Sequence, residues 1–235
     1  MSSNKTGGLL LHRLLYAFFR FFPLSERKKL VLALNLNWTT YHLSQDFARK
    51  VFPFDRHPKR IKTLTFLKKH LKKSHKVLDL GCGAGQVSFM MAEIAGEVYG
   101  IDLNKPAIES AQDLMIRENL TFVYGDLLDF FASSNERFDV VVLSHVIGQI
   151  DDPVALLEQI SEFTDYIFIE SDDFESNRLN NFRTEMPEAF SYTDENASRS
   201  HTRDSLGRDI LNAGLTIGDA EYRHGVLRYW CKTKE

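Results

Sequence analysis

Four short stretches of this chain carry residues whose types and spacing can do chemistry. "VLDLGCGAGQ" (77–86) is an apolar run that holds one acid, Asp79, and ends in the turn Gly81-Cys82-Gly83-Ala84-Gly85. Alternate glycines let backbone come close to a ligand, because no Cβ stands in the way. "VYGIDLN" (98–104) ends an apolar run on Asp102, 17 residues after Gly85. A carboxylate in that place can accept hydrogen bonds from both hydroxyls of a ribose. "YGDLL" (124–128) sets Asp126 where it can accept from an adenine amino group, cap the next helix, or do both. "LSHVIGQ" (143–149) offers His145, whose imidazole titrates near neutrality and can take up a proton.

The glycine spacing narrows the ligand. A dinucleotide fingerprint needs G-x-G-x-x-G, and here Gln86 stands in place of the third glycine. Asp79 would sit awkwardly beside a pyrophosphate, whereas it suits a ligand that carries an ammonium group. Asp102 supports an adenosine moiety without choosing between the two kinds of ligand.

These residues need a frame that brings them together, and the hydrophobic pattern supplies one. Strands are expected at 76–80, 97–101, 120–124, 138–143 and 165–170, with helices at about 84–94, 105–117, 126–132 and 153–163 between them. Asn104 is a suitable N-cap for the second of these helices, with Pro106 in its first turn. Such alternation argues a parallel sheet covered on both faces. After a polar excursion at 171–202, a helix near 203–213 ends at Gly214, and two strands at about 215–223 and 226–233 form an antiparallel hairpin through "RHG". The first 75 residues read as helices: 9–24, 28–52, and a basic amphipathic one along "KRIKTLTFLKKHLKKSHK" (59–76).

In this order and spacing, "VLDLGCGAG", "VYGIDLN", "YGDLLDF" and "FDVVVLSHVIGQIDDP", with the tail "GRDILNAGLTIGDAEY", resemble the class I S-adenosylmethionine-dependent methyltransferases. The resemblance covers residues 76–234 and implies a Rossmann-like, doubly wound, seven-stranded, mostly parallel α/β sheet with an antiparallel last strand. The helical segment 1–75 is then an extension to the methyltransferase domain 76–235, which carries an insert at 171–202. The resemblance also implies S-adenosylmethionine as cofactor. Backbone around Gly81, Cys82, Gly83 and Gly85 would approach its amino-acid portion and ribose, Asp79 its ammonium, and Asp102 its ribose hydroxyls. Leu103 would lie on the adenine, with Asp126 and Leu127 at its edge. Ser144 and His145 would line the place where methyl donor and acceptor meet.

Methyl transfer from a sulfonium needs alignment and desolvation, and a base only if the acceptor must lose a proton. The family's common small-molecule pattern has a glutamate after strand four and a histidine four residues on. Here those places hold His145 and Gln149. His145 is thus a candidate general base, or a residue that contacts cofactor or supports the site. No D/N-P-P-Y/F sequence follows strand four, which argues against methylation of the amino groups of DNA bases or of glutamine. Neither cysteine, Cys82 or Cys231, is placed for cysteine-dependent chemistry. Asp172 and Asp173 are the acids a Mg²⁺-assisted reaction would use, although solvated loop acids are the commoner case and no metal is expected.

Charge is divided unevenly. Residues 1–76 hold 17 Lys/Arg against 3 Asp/Glu, and residues 77–235 hold 12 against 29. The basic part either meets an anionic partner or is simply solvated. "LLLHRLLYAFFRFFPL" (9–24) is too short and too charged to span a bilayer, so it is expected either to lie at a membrane interface or to pack on the domain. The acceptor is expected to be a small or lipid/glycan-linked molecule. The alternatives are RNA, for which no binding module is visible, and a partner protein that binds the cofactor without transferring the methyl group. Trp38, Tyr41, His42, Phe190, Tyr192 and His201 are candidate lid or pocket residues. Two cysteines without metal-ligand spacing fit a reducing, cytoplasmic setting, with peripheral membrane contact through 9–24.

Overall fold

The protein is described from a computed structural model that covers residues 5–126, 130, 136–190 and 199–234, with side chains from Arg13 onward. Two compact units emerge: residues 1–44 with 179–191, and residues 45–178 with 192–235.

The larger unit holds a seven-stranded sheet in the order β3-β2-β1-β4-β5-β7-β6. Its strands are β1 Lys76–Leu80, β2 Glu97–Asp102, β3 Leu120–Tyr124, β4 Phe138–Ser144, β5 Thr164–Asp172, β6 Thr216–Arg223 and β7 Val226–Lys232. The ladders from β3 to β5 are parallel. β7 lies antiparallel between β5 and β6. The β6–β7 loop is two residues long, His224 and Gly225, both at positive φ. Such a turn matches the twist of the strands it joins, which a longer loop would not need to do.

Helices cover both faces. β1, β4 and β5 are buried on both sides and read as continuous apolar runs, as the middle of a parallel sheet must. One face carries Leu78, Val141, Leu143, Ile167, Leu227 and Tyr229 against α6 (Pro153–Ser161) and α8 (Arg203–Asn212). The opposite face carries Val77, Val140, Phe168 and Trp230 against Phe66 and Leu67 of α3 (Pro58–Leu67) and Met91 of α4 (Gln86–Met91). α5 (Lys105–Leu114) packs through Ile108 and Ala111 onto Phe122. Its N-cap is Asn104, whose side chain accepts from Ala107 N at 3.1 Å, as the sequence predicts.

α3 is shorter than its apolar spacing predicts. It closes at Leu67, and tighter bonds carry the chain on, with Lys69 N and His70 N donating to Phe66 O and Leu67 O. Leu71 still reaches the core from the turn, so helix and turn leave the same hydrophobic signature there.

The smaller unit is helical. It contains α1 (Lys5–Phe21), the first part of α2 (Glu26–Val51) and the short α7 (Asn180–Thr184). Arg183 joins α7 to α2, donating from Nη2 to Leu34 O at 2.7 Å and to Asn37 Oδ1 at 3.2 Å. Arg27 pairs with Glu188 at 3.0 Å. Trp38 stacks on His42 with ring centroids 3.9 Å apart and meets Phe190 edge-on.

Candidate active site

Strand order reverses between β1 and β4, and the carboxyl ends of β1 to β5 share one edge of the sheet. In sheets of this kind the crevice at that reversal is where ligands bind. Gly81, Gly83 and Gly85 all adopt positive φ. They differ in what surrounds them. A side chain at Gly81 would run into Val146, and one at Gly85 into Phe122. At Gly83 nothing lies within 4 Å. The outer glycines let the turn fit its own protein, whereas Gly83 opens onto free space.

Asp102 is held by that turn. Its Oδ2 accepts from Gly83 N at 2.7 Å and its Oδ1 from Asn104 N at 2.7 Å. The carboxylate is only partly buried, so lone pairs remain for a ligand. Leu103, beside it, is 63% exposed. Asp126 stands two residues past the end of β3, and Phe130 N donates to its carbonyl at 3.0 Å. Leu127 and most of the helix expected at 126–132 lie outside the described residues.

Asp79 is buried at 2% exposure, and Ser88 Oγ donates to it at 2.5 Å. Burial pushes its pKa up to about 7, with the nearby Asp102 adding to the rise and the Ser88 hydroxyl opposing it. A buried carboxylate beside another acid is a place that a cation would relieve. The pKa of the Cys82 thiol is raised by burial and then by Asp79 and Asp102, which favours the protonated thiol over the thiolate. Open space at Gly83, a partly free Asp102 and a cation-seeking Asp79 together fit the ribose and ammonium that the sequence resemblance implies.

At the ends of β4 and β5 lies a second set of groups. His145 has φ +58°, and its backbone N donates to Glu170 O at 2.8 Å. Its side chain is 34% exposed. Nε2 stands 3.4 Å from Glu170 Oε1, and Nδ1 stands 3.8 Å from Asp172 Oδ2. Burial disfavours the charged ring, but the hydrogen bond and charge of Glu170, then Asp172, outweigh burial and Lys59. The pKa of His145 is therefore above its ordinary 6.5. Gln149 donates to His145 O at 3.3 Å.

Glu170 is the hub of this set. Burial alone would raise its pKa, yet His145, Arg228 and Thr63 bring it down to about 2. Arg228 Nε donates to it at 2.6 Å, Thr63 Oγ1 at 2.8 Å and Ser144 Oγ at 3.0 Å. Glu170 and Arg228 are 2% and 1% exposed. Arg228 also reaches Glu221 at 3.0 Å. Strand geometry explains the meeting, since side chains two apart share a face. Phe168 and Trp230 fill the core under α3, and Glu170 and Arg228, directly paired in the β5–β7 register, continue that face to the sheet's edge beside Thr63 of α3. Sequence reasoning missed Glu170, Arg228 and Thr63. The available signal was two opposite charges inside the apolar runs "DYIFIE" and "VLRYWC".

Other expected residues lie elsewhere. Asp173 is spent on a turn, its Oδ1 accepting from Glu175 N at 3.1 Å. His201 is buried, and its carbonyl accepts from Phe174 N. Trp38, Tyr41, His42 and Phe190 belong to the helical unit, and Tyr192 lies outside the described residues. Among the described residues no group of three or more His, Cys, Asp or Glu is arranged to hold a metal ion.

A family model described as "Methyltransferase domain" matches residues 71–201, more than half of the chain. The chain belongs to this methyltransferase family. Its curated relatives include the ribosomal protein L11 methyltransferase of Thermotoga petrophila, 33% identical over 109 residues, which are 46% of this chain and 40% of that protein. The ubiquinone biosynthesis O-methyltransferase of Haemophilus ducreyi is 36% identical over 89 residues, 35% of this chain and 38% of that one. The chain thus spans well under half the length of these curated relatives. Its fold is shared with magnesium protoporphyrin IX methyltransferase from Synechocystis with bound SAH, at 17% identity and a TM-score of 0.57, over 75% of this chain and 82% of that one. It is shared equally with an S-adenosylmethionine-dependent methyltransferase from Clostridium acetobutylicum, at 12% identity and a TM-score of 0.57, over 86% and 100% of the two chains.

Proposed function

We propose that this protein is an S-adenosylmethionine-dependent methyltransferase that transfers the methyl group to oxygen or nitrogen of a small-molecule acceptor, free or linked to a lipid or glycan. The observation that carries the reading is His145, partly exposed at the end of β4 and held by Glu170 and Asp172, next in the chain to Val146, which packs against Gly81 of the glycine loop. Bound S-adenosylmethionine supplies an electrophilic methyl group on a positively charged sulfur. In this reading Asp102 takes the ribose hydroxyls, Asp79 faces the ammonium, and backbone at Gly81, Cys82, Gly83 and Gly85 lies against the cofactor. Leu103, Asp126 and Leu127 border its adenine, and Ser144 fixes Glu170.

His145 acts on the acceptor's proton. Its Nε2 faces the buried carboxylate of Glu170, which favours the tautomer with the hydrogen there. Nδ1, on the side of the more exposed Asp172, is then the free base. It takes the proton from the acceptor O–H or N–H, which would leave the acceptor's lone pair free for the methyl group that the cofactor supplies, the sulfur keeping the electrons of the bond it gives up. The imidazolium that results is stabilised by Glu170. Since the folded protein raises the pKa of His145, the base form grows in as pH rises above 6.5, and the rate rises with it.

The test combines purified protein, cell extract and cofactor labelled in its methyl group, followed by separation of small polar, lipid, protein and nucleic-acid fractions. Label in the small polar or lipid fraction supports this reading. Once an acceptor is isolated, His145→Ala is expected to lower turnover on the order of a hundredfold or more while cofactor affinity stays near the parent's. Unchanged turnover would remove His145 from the chemistry. A second reading, methylation of a protein, is favoured by the ribosomal protein L11 methyltransferases among the relatives. Label in the protein fraction would select it.

A further inference from the structure

Among the described residues, α1 from Arg13 onward has no protein partner equal to its surface. Each described residue from Arg13 to Phe22 except Phe19 is exposed, and Phe21 reaches 79% and Tyr16 64%. Leu14, Leu15, Phe18, Phe21, Phe22 and Pro23 line an open apolar groove within the helical unit. A helix apolar over so much of its circumference is stable only when something covers it. It is not a span: no helix among the described residues is long and apolar enough to cross a membrane. At a rise of about 1.5 Å per residue, its 17 residues reach only ~26 Å.

Charge decides what covers it. Residues 1–25 contain Lys5, Arg13 and Arg20 and no acid. Arg13 and Arg20 are seven residues apart, two helical turns, and so stand on one side. Neither makes an ion pair among the described residues, and the Arg20 guanidinium rests over the Phe21 ring at 5.9 Å. A protein groove would leave two cations to be paired and would have little use for five closely spaced aromatic rings, Tyr16, Phe18, Phe19, Phe21 and Phe22. The headgroup layer of an anionic bilayer takes both: rings and leucines into the acyl boundary, arginines at the phosphates.

We propose that α1 lies in the plane of an anionic membrane surface and anchors the protein there. Attachment is then electrostatic in approach and apolar in hold. The anchor is rooted in the fold, since Lys29 Nζ of α2 donates to Arg20 O at 3.0 Å and closes the turn that follows α1.

The test is co-sedimentation of the full chain with vesicles of phosphatidylcholine, alone or mixed with phosphatidylglycerol. Binding to mixed vesicles is expected, weakening as salt rises. Arg13→Gln with Arg20→Gln is expected to reduce it about thirtyfold, as loss of two surface cations implies. Phe18→Ser with Phe21→Ser is expected to abolish it, with circular dichroism and thermal unfolding like the parent's. No binding by the parent, equal binding to both vesicle types, or indifference to the paired substitutions would each overturn the proposal. Self-association of the parent in light scattering, without vesicle binding, would overturn it in favour of a second copy as the occupant.

Discussion

The two sides of the strand-end crevice hold their charges in opposite ways. On the side of β1 to β3, Asp79 and Asp102 stand close together with hydroxyl and amide donors and, among the described residues, no cation paired with them, and Asp79 is pushed up to about 7. On the side of β4, β5 and β7, Glu170 is saturated by Arg228, Thr63, Ser144 and His145, and is held at about 2. One side is left electrically unfinished, as a surface awaiting a cationic ligand would be. The other is finished internally, as a support for one working side chain would be. A carboxylate already satisfied by its own fold is a poor ligand site but a good anchor.

The largest way to break this contrast is at Arg228. Arg228→Met leaves Glu170 buried without its cation, and a loss of about 3–5 kcal/mol in urea unfolding is expected. Adding Glu170→Leu should recover most of that loss while the activity of His145 stays impaired. If the single substitution is harmless, Glu170 is not held by charge at all. Next in size, Asp102→Ala should weaken S-adenosylmethionine roughly a hundredfold in calorimetric titration, since two charge-assisted hydrogen bonds to the ligand are lost. Stability should barely move, because Asp102 supports only backbone amides that can turn to water.

A smaller effect with opposite sign is expected at Asp79. Its neutral form stabilises the fold fully below the unfolded value of 3.8, and that stability is lost as pH rises through about 7. Asp79→Asn should therefore raise stability by on the order of 2 kcal/mol at about pH 8 and change little near pH 4, while cofactor affinity falls. A destabilised variant at both pH values would show that Asp79 serves the fold rather than the ligand. The smallest change is expected from Glu221→Gln. Glu221 meets Arg228 from a partly exposed position, so about 1 kcal/mol or less should be lost in the same unfolding assay.

The same contrast governs how much was legible in the sequence. The unfinished side is local: Asp79 near the end of β1, the glycines just after it and Asp102 at the end of β2 lie within one β–α–β unit, so spacing along the chain is nearly spacing in space. The strands themselves follow from apolar runs, and β3 begins and ends at the residues expected. The finished side is assembled from α3, β4, β5 and β7, residues up to 165 positions apart in the case of Thr63 and Arg228. Which strand neighbours β5, and in which register, is a property of the folded sheet. The end of α3 was hidden for a different reason, since a buried Leu71 satisfies either shape.

The two-residue loop at His224 and Gly225 has a further consequence. In a hairpin this tight, the turn sets the register, and a slip of one residue reverses the face of every side chain in the strand. Arg228 would then point into the apolar layer beside Leu143 and Ile169, and Leu227 would confront Glu170. Misregistered sheets of this chain are thus penalised by an orphaned charge on each face, so the ion pair beneath His145 serves as a checksum on the folding of the strand that delivers it.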